Sequence, residues 1–244
     1  MSSLAENVAK VTAAHAALKE AIAAKGVNVP DGTKLTGMPA LIEQISTEPV
    51  PTNPRAVFGY DMSLTSIVVP NTLVVDMLAI DDLTNCFSNC SNLTSISLPE
   101  GFGSTAVNIG GCFYNCTSLT SLTLPDGFGQ NATMLSYNRR VGCFYYCKAL
   151  ESLHLPSGFG QKATNLVNCF SNCTALKTIT GNPNFKVSLN LSSCTKLTHD
   201  SIMVIINGLQ TVTETQKLTL GTENLAKLTE ADKKIATDKG WTLE

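Results

Sequence analysis

The apolar positions of this chain fall into a block that recurs down its middle. Leucine or isoleucine stands at Leu93, Ile96 and Leu98 before Pro99, at Leu119, Leu122 and Leu124 before Pro125, and at Leu150, Leu153 and Leu155 before Pro156. Each block follows a Cys-Phe-x-x-Cys that begins at Cys86, Cys112, Cys143 or Cys169, in steps of 26, 31 and 26 residues. The fourth copy keeps Leu176 and Ile179 and departs at Gly181. The alternating leucines predict a short strand with its apolar residues inward, and the proline ends it. The next Gly-Phe-Gly, at 101–103, 127–129 and 158–160, predicts a turn whose phenylalanine plugs the core. A second inward segment places Ala106 with Ile109, Ala132 with Leu135 and Ala163 with Leu166. A unit this short cannot bury its apolar face alone, so the copies must stack and share one core. The predicted class is an α/β solenoid built on a parallel sheet.

The flanks read differently. Residues 3–25 are alanine-rich, lack proline and end at Gly26, which predicts a helix. Leu4, Val8, Val11, His15, Leu18 and Ile22 recur at alternating intervals of four and three, a coiled-coil seam. At roughly three heptads the seam is too short for a lone helix and needs a partner. Two partners fit: other copies of the chain, with a trimer favoured, or the short helix expected over 37–45. His15 reads as a polar break in the seam. Pro49, Pro51 and Pro54 make a stiff spacer. The expected organisation is a small helical oligomerisation or attachment domain over 1–48, a proline-rich linker over 49–57, the solenoid over 58–197 and an α/β C-terminal cap over 198–244. A degenerate copy with Leu64, Ile67 and Val69, lacking the cysteines, opens the solenoid. In the cap, 200–209 predicts a helix ended around Gly208, 217–220 a strand, and 229–240 a helix opened by a capping box at Thr229 and Asp232.

The chain has 244 residues and a net charge of -2, which gives no electrostatic case for a nucleic acid or an anionic membrane as partner. Its opening lacks a basic start followed by an apolar run, and no stretch approaches the ~20 apolar residues of a membrane span. Synthesis in a reducing cytoplasm, without membrane insertion, is the expectation, and disulfides are disfavoured there. The nine cysteines are then best read as packing residues. Stacking sets Cys86, Cys112, Cys143 and Cys169 in one column and Cys90, Cys116, Cys147, Cys173 and Cys194 in another, with neighbours ~4.8 Å apart. A thiol packs like a small apolar group. Zinc held by two adjacent pairs is the competing reading, but each pair is inseparable from the leucines around it, so packing accounts for it. No metal or cofactor is expected. Of the three histidines, His154 points away from the thiols and cannot activate one. No phosphate-cradling loop or metalloprotease motif appears, so the chain reads as non-enzymatic.

Candidate binding residues lie on the outward side of the strands, at Thr120, Thr123, Glu151, His154, Lys177 and Thr180. A hydroxyl-rich face can hydrogen-bond a sugar or a protein backbone, and threonine also simply suits exposed strands. The longer second step, of 31 residues, places Tyr137, Arg139 and Arg140 in a protruding loop near Tyr145 and Tyr146, a composition that interfaces favour.

The unit Cys86-Phe-Ser-Asn-Cys-Ser-Asn-Leu-Thr-Ser-Ile-Ser-Leu-Pro99 resembles the BspA-like leucine-rich repeat of bacterial surface and phage-associated proteins, over roughly residues 60–200. In that family alanine commonly stands at the place of the first cysteine, in keeping with a packing role. Lys25-Gly-Val-Asn-Val-Pro-Asp-Gly-Thr-Lys-Leu35, with Pro39-Ala-Leu-Ile42, resembles the opening of phage tail and head-fibre proteins, and the ending through Lys239-Gly-Trp-Thr-Leu243 is similar to repeat proteins of phages and prophages. The resemblance implies a leucine-rich-repeat solenoid and a homo-oligomeric virion protein of a phage head or tail fibre. Its repeats would adhere to a host-surface glycan or protein. A bacterial cell-surface adhesin or an intracellular interaction scaffold is the alternative it implies.

Overall fold

The computed structural model describes residues 58–69, 81–138 and 140–244, all within the second of the two units into which the chain divides, Pro51–Glu244. The readings placed on Leu4, Val8, Val11, His15, Leu18 and Ile22, on the proline spacer and on Arg139 lie outside the described residues.

The chain runs through β1 (Ser66–Val68), β2 (Ser95–Ser97), β3 (Ser121–Thr123), a small hairpin of β4 (Ser136–Tyr137) and β5 (Val141–Gly142), then β6 (Ser152–Leu155), β7 (Thr178–Gly181) and β8 (Leu189–Asn190). There follow α1 (His199–Asn207), β9 (Gln216–Thr219), α2 (Gly221–Leu225), α3 (Glu230–Asp238) and β10 (Trp241–Leu243). β1 pairs in parallel with β2, and β6 lies between β3 and β7, also parallel. The register sets like against like: Leu122 faces Leu153 and Leu153 faces Ile179, while Thr123, His154 and Thr180 align beside them. The middle residues of these three strands are buried, whereas Ile67, Ile96 and Leu98 of the first two repeats are only half-buried.

Two further lines of backbone contact join the repeats. Parallel bridges link Asp82, Asn108, Met134 and Asn165 in turn. The N–H groups of Phe87, Phe113 and Phe144 donate to the carbonyls of Cys112, Cys143 and Cys169 in the next repeat. Three lines of attachment fix the register, so equivalent side chains must lie over one another. Phe58, Phe87, Phe113, Phe144 and Phe170 accordingly stack at successive ring separations of 5.0, 5.4, 5.8 and 5.4 Å. The phenylalanines of the Gly-Phe-Gly turns pack against this stack, as Phe128 does on Phe113 at 6.2 Å. Gly129 takes φ +71°, and a Cβ there would meet the ring of Phe159 at 2.8 Å, so both its backbone and its neighbour require glycine.

At the C-terminal end, Thr198 caps α1 by accepting from the Ser201 N–H. The Ser201 hydroxyl accepts from the Ile179 N–H at 2.9 Å, so the outer edge of β7 has its donor met by a side chain. β9 pairs in parallel with β8 on one side and β10 on the other. The helix expected over 200–209 spans His199–Asn207, and the expected strand over 217–220 is Gln216–Thr219. The capping box of Thr229 and Asp232 opens α3. Trp241 to Leu243, which carry no helical or alternating signal in the sequence, form an edge strand because the buried Trp241 ring is held there, its Nε1 donating to the Gln210 carbonyl at 2.8 Å.

Candidate functional site

The repeat motif itself fixes the interior and leaves its variable positions outside. All nine cysteines are buried and free. In the second column Cys90, Cys116, Cys147 and Cys173 each donate their thiol to the carbonyl of the phenylalanine one repeat back, Phe58, Phe87, Phe113 and Phe144, at 3.1 Å. Cys194 does the same to Phe170 at 3.4 Å. This bond was not foreseen from the sequence, where the thiol reads only as a small apolar filler. In the first column Cys112 meets the thiol of Cys86 and the backbone of Phe87 and Cys86. Burial pushes up the thiols of Cys112, Cys116, Cys143, Cys147 and Cys173, and those of Cys90 to about 11 and of Cys169 and Cys194 to about 12. Such thiols stay protonated and are poor nucleophiles and metal ligands at neutral pH. Among the described residues no three His, Cys, Asp or Glu side chains gather into a metal-binding group.

Between the two cysteines of each repeat the chain must pass through the left-handed backbone region. Asn89, Asn115 and Asn172 do so with φ of 62, 59 and 63°, and asparagine suits that region. In the third repeat the residue is Tyr146, with φ of 66°. Its N–H still bonds the Ser171 carbonyl at 3.0 Å, so the stack dictates the backbone and only the side chain is exceptional. The Tyr145 ring edges onto Tyr146 at 4.7 Å and stacks on Tyr114 at 5.7 Å. Lys148 Nζ lies 5.0 Å above the Tyr146 ring. Desolvation, with the neighbouring phenols, raises the pKa of Tyr145. Tyr114 was missed from sequence, although it holds the same place in Cys-Phe-x-x-Cys as Tyr145.

The third repeat is also the one with extra residues. They form the β4–β5 hairpin, with Ser136 opposite Gly142 and Tyr137 opposite Val141, rather than an open protruding loop. Antiparallel pairing meets the backbone groups that a loop would leave to water. A side chain at Gly110 would run into the backbone of Tyr137, so the second repeat leaves room for the hairpin of the third. The fourth repeat holds it from the other side, Asn168 Nδ2 donating to the Arg140 carbonyl at 3.0 Å. Where there is no hairpin, the Asn108 and Asn165 side chains accept from the N–H two residues on and make a tight turn. Met134 replaces that asparagine in the third repeat. Tyr137 and Arg140 are exposed on the hairpin, and the ring contacts join Tyr114, not Tyr137, to the Tyr145 and Tyr146 pair.

Residues 52–210 match the family described as BspA type leucine rich repeat region, in six copies. The chain belongs to the BspA-type leucine-rich-repeat family. No curated protein and no solved structure matches it. Leucine-rich repeats of the BspA type point to interaction or adhesion, which directs attention to the outer strand face. There Thr120 and Thr123 are exposed, Lys177 pairs with Glu151 at 3.1 Å, and His154 Nδ1 lies 3.0 Å from the Thr180 hydroxyl. Several BspA-type threonines are already engaged by the fold: the hydroxyls of Thr94 and Thr164 donate to the carbonyls of Thr65 and Thr133 one repeat back. Among the described residues no helix is long and apolar enough to cross a membrane.

Proposed function

We propose that this chain is a non-enzymatic adhesion protein, a solenoid of BspA-type repeats whose third repeat and adjoining strand face contact a glycan or protein on a host surface. One observation carries the reading. The third repeat keeps the interior of its neighbours, with Cys143, Phe144, Cys147, Leu150, Leu153 and Leu155 all buried, while Tyr146 in the place of asparagine and the β4–β5 hairpin are its own. A repeat altered only where it meets solvent is altered for contact. In the finer form of the proposal the solenoid decorates a phage head or tail fibre, residues 1–48 trimerise and attach it, and 49–57 hold it outward. The heptad seam and the fibre-like 25–35 segment support that form. The family match, which leaves residues 1–51 and 211–244 out, equally supports a bacterial cell-surface adhesin or an intracellular scaffold.

Peptide mass spectrometry of purified virions and of host fractions tests the location: the chain is expected in virions, and its confinement to host fractions would remove the virion form. Light scattering of the full chain is expected to give a trimer, and a monomer would remove the assembly. A glycan array and a host-surface binding assay that both stay blank would end the adhesive reading.

A further inference from the structure

The net charge of -2 conceals a division along the chain. Positions 56–138 contain six carboxylate side chains and no lysine or arginine; positions 139–197 contain seven lysines and arginines and one carboxylate, Glu151. The sign changes at the hairpin. Glu151 is itself paired with Lys177, so no carboxylate in the second stretch is left to offset the remaining cations. A cationic stretch of this kind draws in anionic ligands from a distance.

At the start of that stretch stands the tyrosine cluster. Tyrosine rings give a flat apolar contact and a hydroxyl at the rim. Tyr146 holds a left-handed conformation that a bulky L-residue disfavours, at a turn where three other repeats use asparagine. Its ring is half-buried and lies outside the core cluster. The fold therefore does not require tyrosine there, and the side chain serves something outside it. The next residue but one is Lys148, and the hairpin turn just before contributes the exposed Arg140.

We propose that the third repeat binds an anionic polysaccharide, with sugar rings against Tyr145 and Tyr146 and carboxylate or phosphate substituents met by Lys148 and Arg140. This rests on the adhesive reading above and names its ligand class. The full chain is titrated with polygalacturonate, poly(glycerol phosphate), neutral dextran and single-stranded oligo-dT. Binding to one or both acidic sugar polymers is expected, about tenfold or more above dextran and oligo-dT, and weakening steeply toward ~1 M salt as screening shortens to ~3 Å. The two acidic polymers separate a carboxylate source from a phosphate source. Tyr146→Asn and Lys148→Glu are each expected to weaken binding by about tenfold or more. Because Asn is the residue of the other repeats, Tyr146→Asn keeps the fold, with an unchanged or raised Tm.

Equal binding of dextran would overturn the anionic class and leave adhesion standing. Equal binding of oligo-dT would overturn the sugar class, and wild-type affinity in both variants would overturn the location. No binding to either acidic polymer ends the proposal. A glycan array positive for neutral sugars then preserves the adhesive reading, and a blank array together with a blank host-surface assay removes both.

Discussion

The repeats and the C-terminal cap are both built of short parallel strands around leucine, yet opposite means hold them. In the repeats each contact is a copy of the one before: phenylalanine on phenylalanine, thiol to carbonyl. In the cap each contact occurs once. Asn224 Nδ2 donates to the carbonyls of Cys194 and Leu220 at 3.1 Å, and Lys227 Nζ to those of Thr195 and Leu197 at 2.8 and 2.7 Å. Lys239 Nζ meets the last carbonyls of α1, Ile206 and Asn207. The reason shows at equivalent positions. The Ser91 carbonyl of the first repeat is met by the Thr117 hydroxyl of the second at 3.2 Å. No Cys-Phe repeat follows Thr195, and Lys227 takes the place of that hydroxyl. A periodic stack passes the same backbone contacts from copy to copy until it stops, and there individual side chains must be supplied.

The largest test of the contrast is Phe113→Ala, which removes a ring stacked on both sides. A loss of about 3 to 5 kcal/mol is expected from large-to-small changes in a close-packed core, read as a lowered urea midpoint for the whole unit. Asn224→Ala comes next. Leaving the buried Cys194 and Leu220 carbonyls without this donor is expected to cost about 1 to 3 kcal/mol. Hydrogen exchange should then quicken in β9, β10 and α3 and hardly at all in β2; uniform quickening would erase the distinction between the two regions.

Smaller differences separate the thiol columns. Cys112→Ser puts a more strongly desolvated hydroxyl against the Cys86 thiol and the Phe87 and Cys86 backbone, without the carbonyl acceptor that Cys116 has, and is expected to cost about 1 to 3 kcal/mol. Cys116→Ser can still donate to the Phe87 carbonyl and should cost only about 0.5 to 1.5 kcal/mol. Equal urea midpoints would show that the thiol-to-carbonyl bond contributes nothing.

The smallest effect is electrostatic. His199 Nε2 lies 3.1 Å from Asp232 on α3. The Thr229 hydroxyl and N–H, then His199, lower Asp232 to about 2. Asp232, and secondarily Asp200, raise the pKa of His199. The carboxylate contribution is present above its ordinary 3.8 and is lost as pH falls through about 2. The histidine contribution is full below 6.5 and is lost as pH rises through the raised value. In a Tm series against pH, His199→Gln should flatten the alkaline side of the profile and hardly move the acidic side. An unaltered alkaline limb would show that the pair does not stabilise the cap.

What was legible in the sequence follows the same contrast. Leu122, Leu153 and Ile179 could be set face to face because their spacing repeats, and the capping box at Thr229 could be read because its partner lies three residues away. Trp241 could not be placed, since the carbonyl that holds it, Gln210, lies 31 residues back in a segment without periodicity. The spacing predicts a protruding loop and not its pairing as a hairpin, because the room for that pairing is made one repeat earlier, by Gly110. The charge division escaped for a different reason: a whole-chain sum cancels two opposed stretches.

That glycine has a practical corollary. Because the second repeat makes space for the hairpin of the third, the hairpin and its seat are encoded about one repeat apart. Anyone grafting the tyrosine-bearing unit into another scaffold of this family must carry its predecessor with it. A donor unit set above a neighbour with any larger residue in place of Gly110 would push its own hairpin aside.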